Sequence, residues 1–147
     1  MKYVYCFSAR IATILLVACS TLSLGQGRIN DKDVETLMKN LKEDAKHFRS
    51  SFNSAVRKTT IRKTSKEKDG KALVAQFQKQ TEQMLNTFKS KKKADQALTT
   101  VLGTSGQIDQ FLASSPLDDS TTSQWAKVKT ELATLSKEFE VKSQGTI

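Results

Sequence analysis

"DVETLMKNLKEDAKHFRSSFNSAV" (33–56) is the stretch that decides the fold. Val34, Leu37, Leu41, Ala45, Phe48, Phe52 and Val56 recur there at steps of three and four. That spacing puts them on one side of a helix of 3.6 residues per turn and has none of the alternation of a half-buried strand. Lys, Glu, Asp, Asn and Ser fill most other positions and solvate the opposite face. A helix striped on one side must bury the stripe against partners, so this stretch calls for companion helices.

Three further segments supply them. Leu73, Phe77, Met84 and Phe88 form the second stripe, with Thr81 in the missing place. Ala94, Leu98, Val101, Ile108 and Leu112 form the third, with Ser105 between. Trp125, Val128, Leu132, Leu135 and Phe139 form the fourth. Punctuation separates them. Asn30 or Asp31 can cap the first helix, and Asp33 and Glu35 suit its positive first turn. Thr64-Ser65-Lys66-Glu67 fits a capping box, in which threonine bonds forward and glutamate reaches back. Pro116 ends the third helix, and Asp118 or Asp119 can cap the fourth. Helices are therefore predicted over 31–58, 65–89, 91–114 and 120–141. Their short connections force neighbours to run antiparallel, giving an all-α, up-down-up-down four-helix bundle as a monomer. The alternative is a bundle completed by homodimerisation. The antiparallel order puts Phe52, Val56, Leu73, Leu112 and Trp125 toward one end, and Val34, Leu37, Phe88, Leu98 and Phe139 toward the other.

Before the first helix lies a different kind of segment. Residues 1–10 carry Lys2 and Arg10 and no acid, and residues 11–24 carry no charge. Fourteen uncharged residues are too few for a bilayer core, which needs about 20 at 1.5 Å each. They also lack a helical stripe, so 1–25 reads as a cleaved signal peptide and 26–147 as one domain. Ser23-Leu24-Gly25 offers a small-x-small site that leaves Gln26 first. Leu16-Val17-Ala18-Cys19 offers the competing lipobox, with Cys19 lipidated and the protein membrane-anchored. Cutting after Gly25 is preferred because it leaves the longer apolar run. The expected location is extracytoplasmic, periplasmic or secreted, with no transmembrane helix in the mature chain.

Cys6 and Cys19 are the two cysteines, both in the leader, so the domain after Gly25 has to hold by its core alone. Its 122 residues are enough for that. Net charge is +9 over the full chain and falls to +7 when Lys2 and Arg10 leave with the leader. The excess suggests anionic neighbours and good solubility.

Residues that could carry chemistry are few. His47 is the one histidine; Glu43 and Asp44 precede it by a turn, but a zinc site needs three or four ligands. Gly103-Thr104-Ser105-Gly106 lacks the Lys-Ser or Lys-Thr of a phosphate loop. Its small residues are expected to admit a neighbouring helix or Phe77, and a local break of the third helix is the alternative. No C-x-x-C-H haem attachment motif occurs, and Asp118-Asp119 sits where capping explains it. The stripes bring inward mainly hydrocarbon plus Thr81 and Ser105. No catalytic residue, metal or cofactor is expected, and the protein reads as a binding or structural bundle.

Two basic runs remain. "VRKTTIRKTSKEKDGK" (56–71) holds Arg57, Lys58, Arg62, Lys63, Lys66, Lys68 and Lys71 against two acids, and "KSKKK" (89–93) holds four lysines. The first seven are the candidate anion contacts. The first reading of both runs is a solvated, aggregation-resistant surface. Where they bind a partner, an envelope polyanion or a lipid headgroup suits them best. Nucleic acid is disfavoured because no aromatic interleaves the lysines and export removes the chain from the genome. A small envelope chaperone or adaptor is the other reading of the same composition.

"RINDKDVETLMKNLKEDAKHFRSSFNSA" (28–55), together with "WAKVKTEL" (125–132), resembles uncharacterised exported helical proteins of bacteria. The resemblance implies a bacterial, extracytoplasmic protein. It implies no activity and lends no catalytic or binding residue.

Overall fold

A computed structural model describes residues 30–144. The expected signal peptide, the cut after Gly25 and the lipidation of Cys19 lie outside the described residues. Four helices follow one another: α1 (Asp31–Val56), α2 (Ser65–Lys91), α3 (Asp95–Ser114) and α4 (Asp119–Gln144). α1 packs on α2 and α4, α2 on α3, and α3 more sparsely on α4, while the backbones of the diagonal pairs stay apart. This is the antiparallel four-helix bundle expected from the stripes.

The helix ends follow local chemistry. Asn30 is the cap of α1, its side chain accepting from the N–H groups of Lys32 and Asp33. α1 stops at Val56, two residues short of the expectation. Thr59 Oγ1 donates to the Val56 carbonyl at 2.8 Å, and the β-branched run Thr59-Thr60-Ile61 is a poor helix former. Residues 57–64 instead make successive turns, with Arg62 N–H bonded to Thr59 O and Thr64 N–H to Ile61 O. Thr64 caps α2 by accepting from Glu67 N–H, but Glu67 reaches back to Lys63 N–H where the capping box predicts Thr64. Lys63 holds a left-handed φ of 64° there. α2 runs on to Lys91, and Lys92 closes it in the left-handed region with its N–H on Phe88 O at 2.8 Å. α3 therefore starts at Asp95, not Lys91. Asp118 is the cap at the start of α4, accepting from Thr121 N–H at 2.8 Å.

The core is continuous from end to end. Val34, Leu41, Ala45, Phe48, Phe52 and Val56 are buried as expected, as are Phe77, Thr81, Met84 and Phe88. So are Leu98, Val101, Ser105, Ile108, and all five residues of the fourth stripe. Aromatic rings join all four helices: Phe111 meets Phe52 (5.6 Å), Phe52 meets Phe48 (5.9 Å), and Trp125 lies against Phe48 (4.8 Å) and Phe77 (5.3 Å). Phe88 and Phe139 pair at 6.3 Å toward the opposite end. Such edge and tilted contacts contribute about 0.5–1.5 kcal/mol each beyond burial.

Two expectations about packing are corrected, and one alternative is excluded. Met38 and Val74 are fully or almost fully buried, while Leu37, Leu73 and Leu112 only flank the core. Neighbouring apolar positions lie 100° apart on a helix, and the rotation of each helix selects between them. α3 is unbroken through Gly103 and Gly106. Neither glycine admits a neighbour, since a Cβ at either would meet nothing within 4 Å. The close approach occurs at Gly70, where a Cβ would lie 2.5 Å from Phe111 Cζ and 3.0 Å from Phe52 Cζ.

Candidate functional site

The α1–α2 connection and the α3–α4 connection share one end of the bundle, and the seven candidate cations gather on it. They divide into two groups. Lys66 Nζ donates to the Ser114 carbonyl at 3.1 Å and lies 6.0 Å from the centre of the Phe111 ring. It clasps the start of α2 to the end of α3. Lys71 pairs with Glu67 one turn back. The Lys71 bond, and then the Lys63 N–H, hold the Glu67 carboxyl below its ordinary range. These two lysines serve the fold.

Arg57, Lys58, Arg62, Lys63 and Lys68 are exposed and form no ion pair among the described residues. The Asp118 carboxylate feels the charge of Lys58, but its own position is set by the Thr121 hydrogen bonds that lower its pKa. The turns of 57–64 hang between two anchored helices, with Ile61 packed against the core. Four exposed cations are thus displayed on a short, tethered connection, with Lys68 beside them in the first turn of α2, and none of the five is held in an ion pair among the described residues. Such a surface attracts anions over a Debye length of about 8 Å at physiological salt.

The other lysine run behaves differently. Lys89 approaches Glu35 at 4.0 Å, and Lys92 sits 5.5 Å from the centre of the Phe88 ring. Lys91 and Lys93 border an open groove with Asn86, Asp95 and Thr100. α2, with 27 residues, is about 40 Å long at 1.5 Å per residue, so the two runs are electrostatically separate.

Other candidates are placed as follows. His47 is exposed on α1, beside Asp44. No group of three His, Cys, Asp or Glu side chains among the described residues is arranged to hold a metal ion. Thr81 Oγ1 donates to Gln78 O at 2.7 Å and Ser105 Oγ to Leu102 O at 2.7 Å, so both inner hydroxyls are engaged within their own helices. Trp125 Nε1–H donates to Asp109 Oδ1 at 2.8 Å, and Lys129 Nζ reaches the same oxygen at 2.9 Å. Burial alone would raise the Asp109 carboxyl, but these two bonds outweigh it and hold it below its ordinary range. Asp109 is a polar strut on the sparse α3–α4 seam that the stripe pattern did not mark.

One arrangement escaped sequence reasoning altogether. Asp44 of α1 meets Lys127 and Glu131 of α4, more than eighty residues away along the chain, at the edge of the core. No described helix is long and apolar enough to cross a membrane. No family model matches the chain, and neither a curated protein nor a solved structure is significantly similar to it.

Proposed function

We propose that the chain is an exported, non-enzymatic helical bundle whose α1–α2 end binds an anionic component of the cell envelope, a polymer or a lipid headgroup. The observation that carries this reading is the set of five exposed cations, Arg57, Lys58, Arg62, Lys63 and Lys68, without an acidic partner among the described residues. Cations kept for solubility alone need no such clustering, and four of the five stand on the acid-free turns 57–64, with Lys68 close by in the first turn of α2. The non-enzymatic part rests on the inner hydroxyls of Thr81 and Ser105, each engaged by its own helix. Export rests on the charged, then apolar, then small-residue order of 1–25. Mass spectrometry of the native N-terminus is expected to find Gln26 first; a lipid-modified Cys19 would place the same bundle on a membrane surface.

The binding test uses reversal of charges that the fold does not need. Arg62→Glu, Lys63→Glu and Lys68→Glu together should weaken retention on phosphatidylglycerol vesicles and on a polyphosphate resin at least tenfold. Helicity by circular dichroism should stay unchanged. Wild-type retention should fall steeply with added salt, as contacts to phosphate do. Lys66 is left in place because it clasps α3. Loss on vesicles alone identifies a headgroup, and loss on both identifies polyanion binding in general. A larger effect from reversing Lys91, Lys92 and Lys93, or no effect from either set, would reduce the basic connection to a solvated turn.

A further inference from the structure

The seam between α1 and α4 holds a cluster that the basic end does not explain. Three side-chain oxygens there, Asp44 Oδ2, Gln124 Oε1 and Glu131 Oε2, are buried and accept no hydrogen bond. Lys127 Nζ bonds Asp44 Oδ1 at 2.9 Å and lies 2.8 Å from Oδ2 without the alignment of a hydrogen bond. Asp44 and Glu131 stand within hydrogen-bonding reach of each other. Two ionised carboxylates offer acceptors only, so that contact holds together only when one of them carries a proton.

We propose that Asp44 and Glu131 form a carboxyl–carboxylate pair sharing one proton, a latch that ties α4 to α1 and loosens as the pH rises. It stands independently of what the basic end binds. Charge counting supports it. With both carboxyls ionised, Lys127 is the one cation bonded to the pair among the described residues, and a half-buried negative charge is left uncompensated. With one proton added, the cluster is neutral and the idle oxygens gain a donor. On α1, exposed His47 lies beside Asp44, and Glu43 is paired with Lys42. On the far flank of α4, α3 presents Asp109, already held by Trp125 and Lys129. On the far flank of α1, α2 presents Lys89 to Glu35 and Gln78 to Arg49. Neither flank supplies the missing counter-charge.

The proton belongs on Glu131. Burial, followed by the bond to Asp44 and the Asp44 charge, pushes the Glu131 carboxyl up to about 7, against the opposing pull of Lys127. Burial also acts to raise Asp44, but the bonds from Lys127 and Glu131 and the nearby positive charges hold it below its ordinary range. The sign follows from linkage. Between the ordinary glutamate value and about 7 the folded chain keeps a proton that the unfolded chain releases, so stability declines as the pH rises through that window. Above it, the Glu131 contribution stays lost. Asp44 acts oppositely, its contribution being present above the ordinary aspartate value and lost as the pH falls below it.

Two measurements test the latch. In the wild-type protein, the side-chain carboxyl carbon of Glu131, followed by NMR, should titrate well above the ordinary value of about 4.3. Asp44→Asn should move that midpoint back down, because it removes the neighbouring negative charge. Thermal unfolding should show the wild-type Tm falling by several degrees from about pH 5 to about pH 8. Glu131→Gln, whose amide donates to Asp44 at every pH, should remove that part of the slope. A wild-type Glu131 midpoint at the ordinary value overturns the proposal whether or not the variants fold. A Glu131→Gln slope equal to the wild-type slope does the same.

Discussion

α3 meets its surroundings in opposite ways on its two flanks. Toward α2 and α1 it inserts Phe111 over Gly70 and onto Phe52, so closely that a single methyl group on residue 70 has no room. On its outer flank, Gly103 and Gly106 face open space beside Leu102, the one exposed large hydrophobic residue of the described core helices, at 37%. One glycine is required by a neighbour and two are not. Glycine in a helix interior costs about 1 kcal/mol relative to alanine wherever it stands. Only at Gly70 does the bundle return a packing contact for it. Glycine is therefore a sign of close approach only when another element fills the space its side chain would occupy.

Substitutions can break this comparison, and the largest effect should come from the intruding ring. Phe111→Ala removes a partly buried aromatic from the Phe52 stack and should destabilise by about 2–4 kcal/mol in chemical denaturation, toward the low end for a core phenylalanine. Gly70→Ala should come next. Overpacking of about 1–3 kcal/mol opposes a propensity gain of about 1 kcal/mol, so a net loss is expected. In the Phe111→Ala background the ring is gone, and Gly70→Ala should become neutral or stabilising. A Gly70→Ala penalty that survives removal of Phe111 would transfer the constraint to Phe52 or to the backbone. The smallest effects belong to the outer flank. Gly103→Ala and Gly106→Ala should each stabilise by about 0.5–1 kcal/mol, read as a raised urea midpoint at constant slope. If either destabilises, that face is covered by something in the folded protein.

The basic end repeats the lesson for charge. Seven cations crowd 57–71, and composition treats them alike. Lys66 and Lys71 are drawn into the fold by Ser114 and Glu67, leaving five for solvent or a partner. Lys71 is one helical turn from Glu67, a pairing the local sequence offers. Lys66 is set apart by α3 ending where its ammonium can reach the last carbonyls, which no pattern near Lys66 announces.

Four amphipathic helices, their antiparallel order and several of their ends were determined by the sequence alone. The stripe from Val34 to Val56 needs partners, Asn30, Thr64 and Asp118 cap, Pro116 stops, and short connections leave one economical topology. These are local properties, set by propensity and by backbone groups within a few residues. The tertiary structure decided the rest: Met38 and Val74 over Leu37 and Leu73, Gly70 over Gly103 and Gly106, and the bond of Trp125 to Asp109. It also decided the meeting of Asp44 with Glu131. Each of these depends on how far a helix is rotated about its axis and how high it sits against its neighbour. Periodicity fixes the buried side of a helix only to within about 100°, the angle between adjacent residues. Packing of the four rotated helices supplies the remainder.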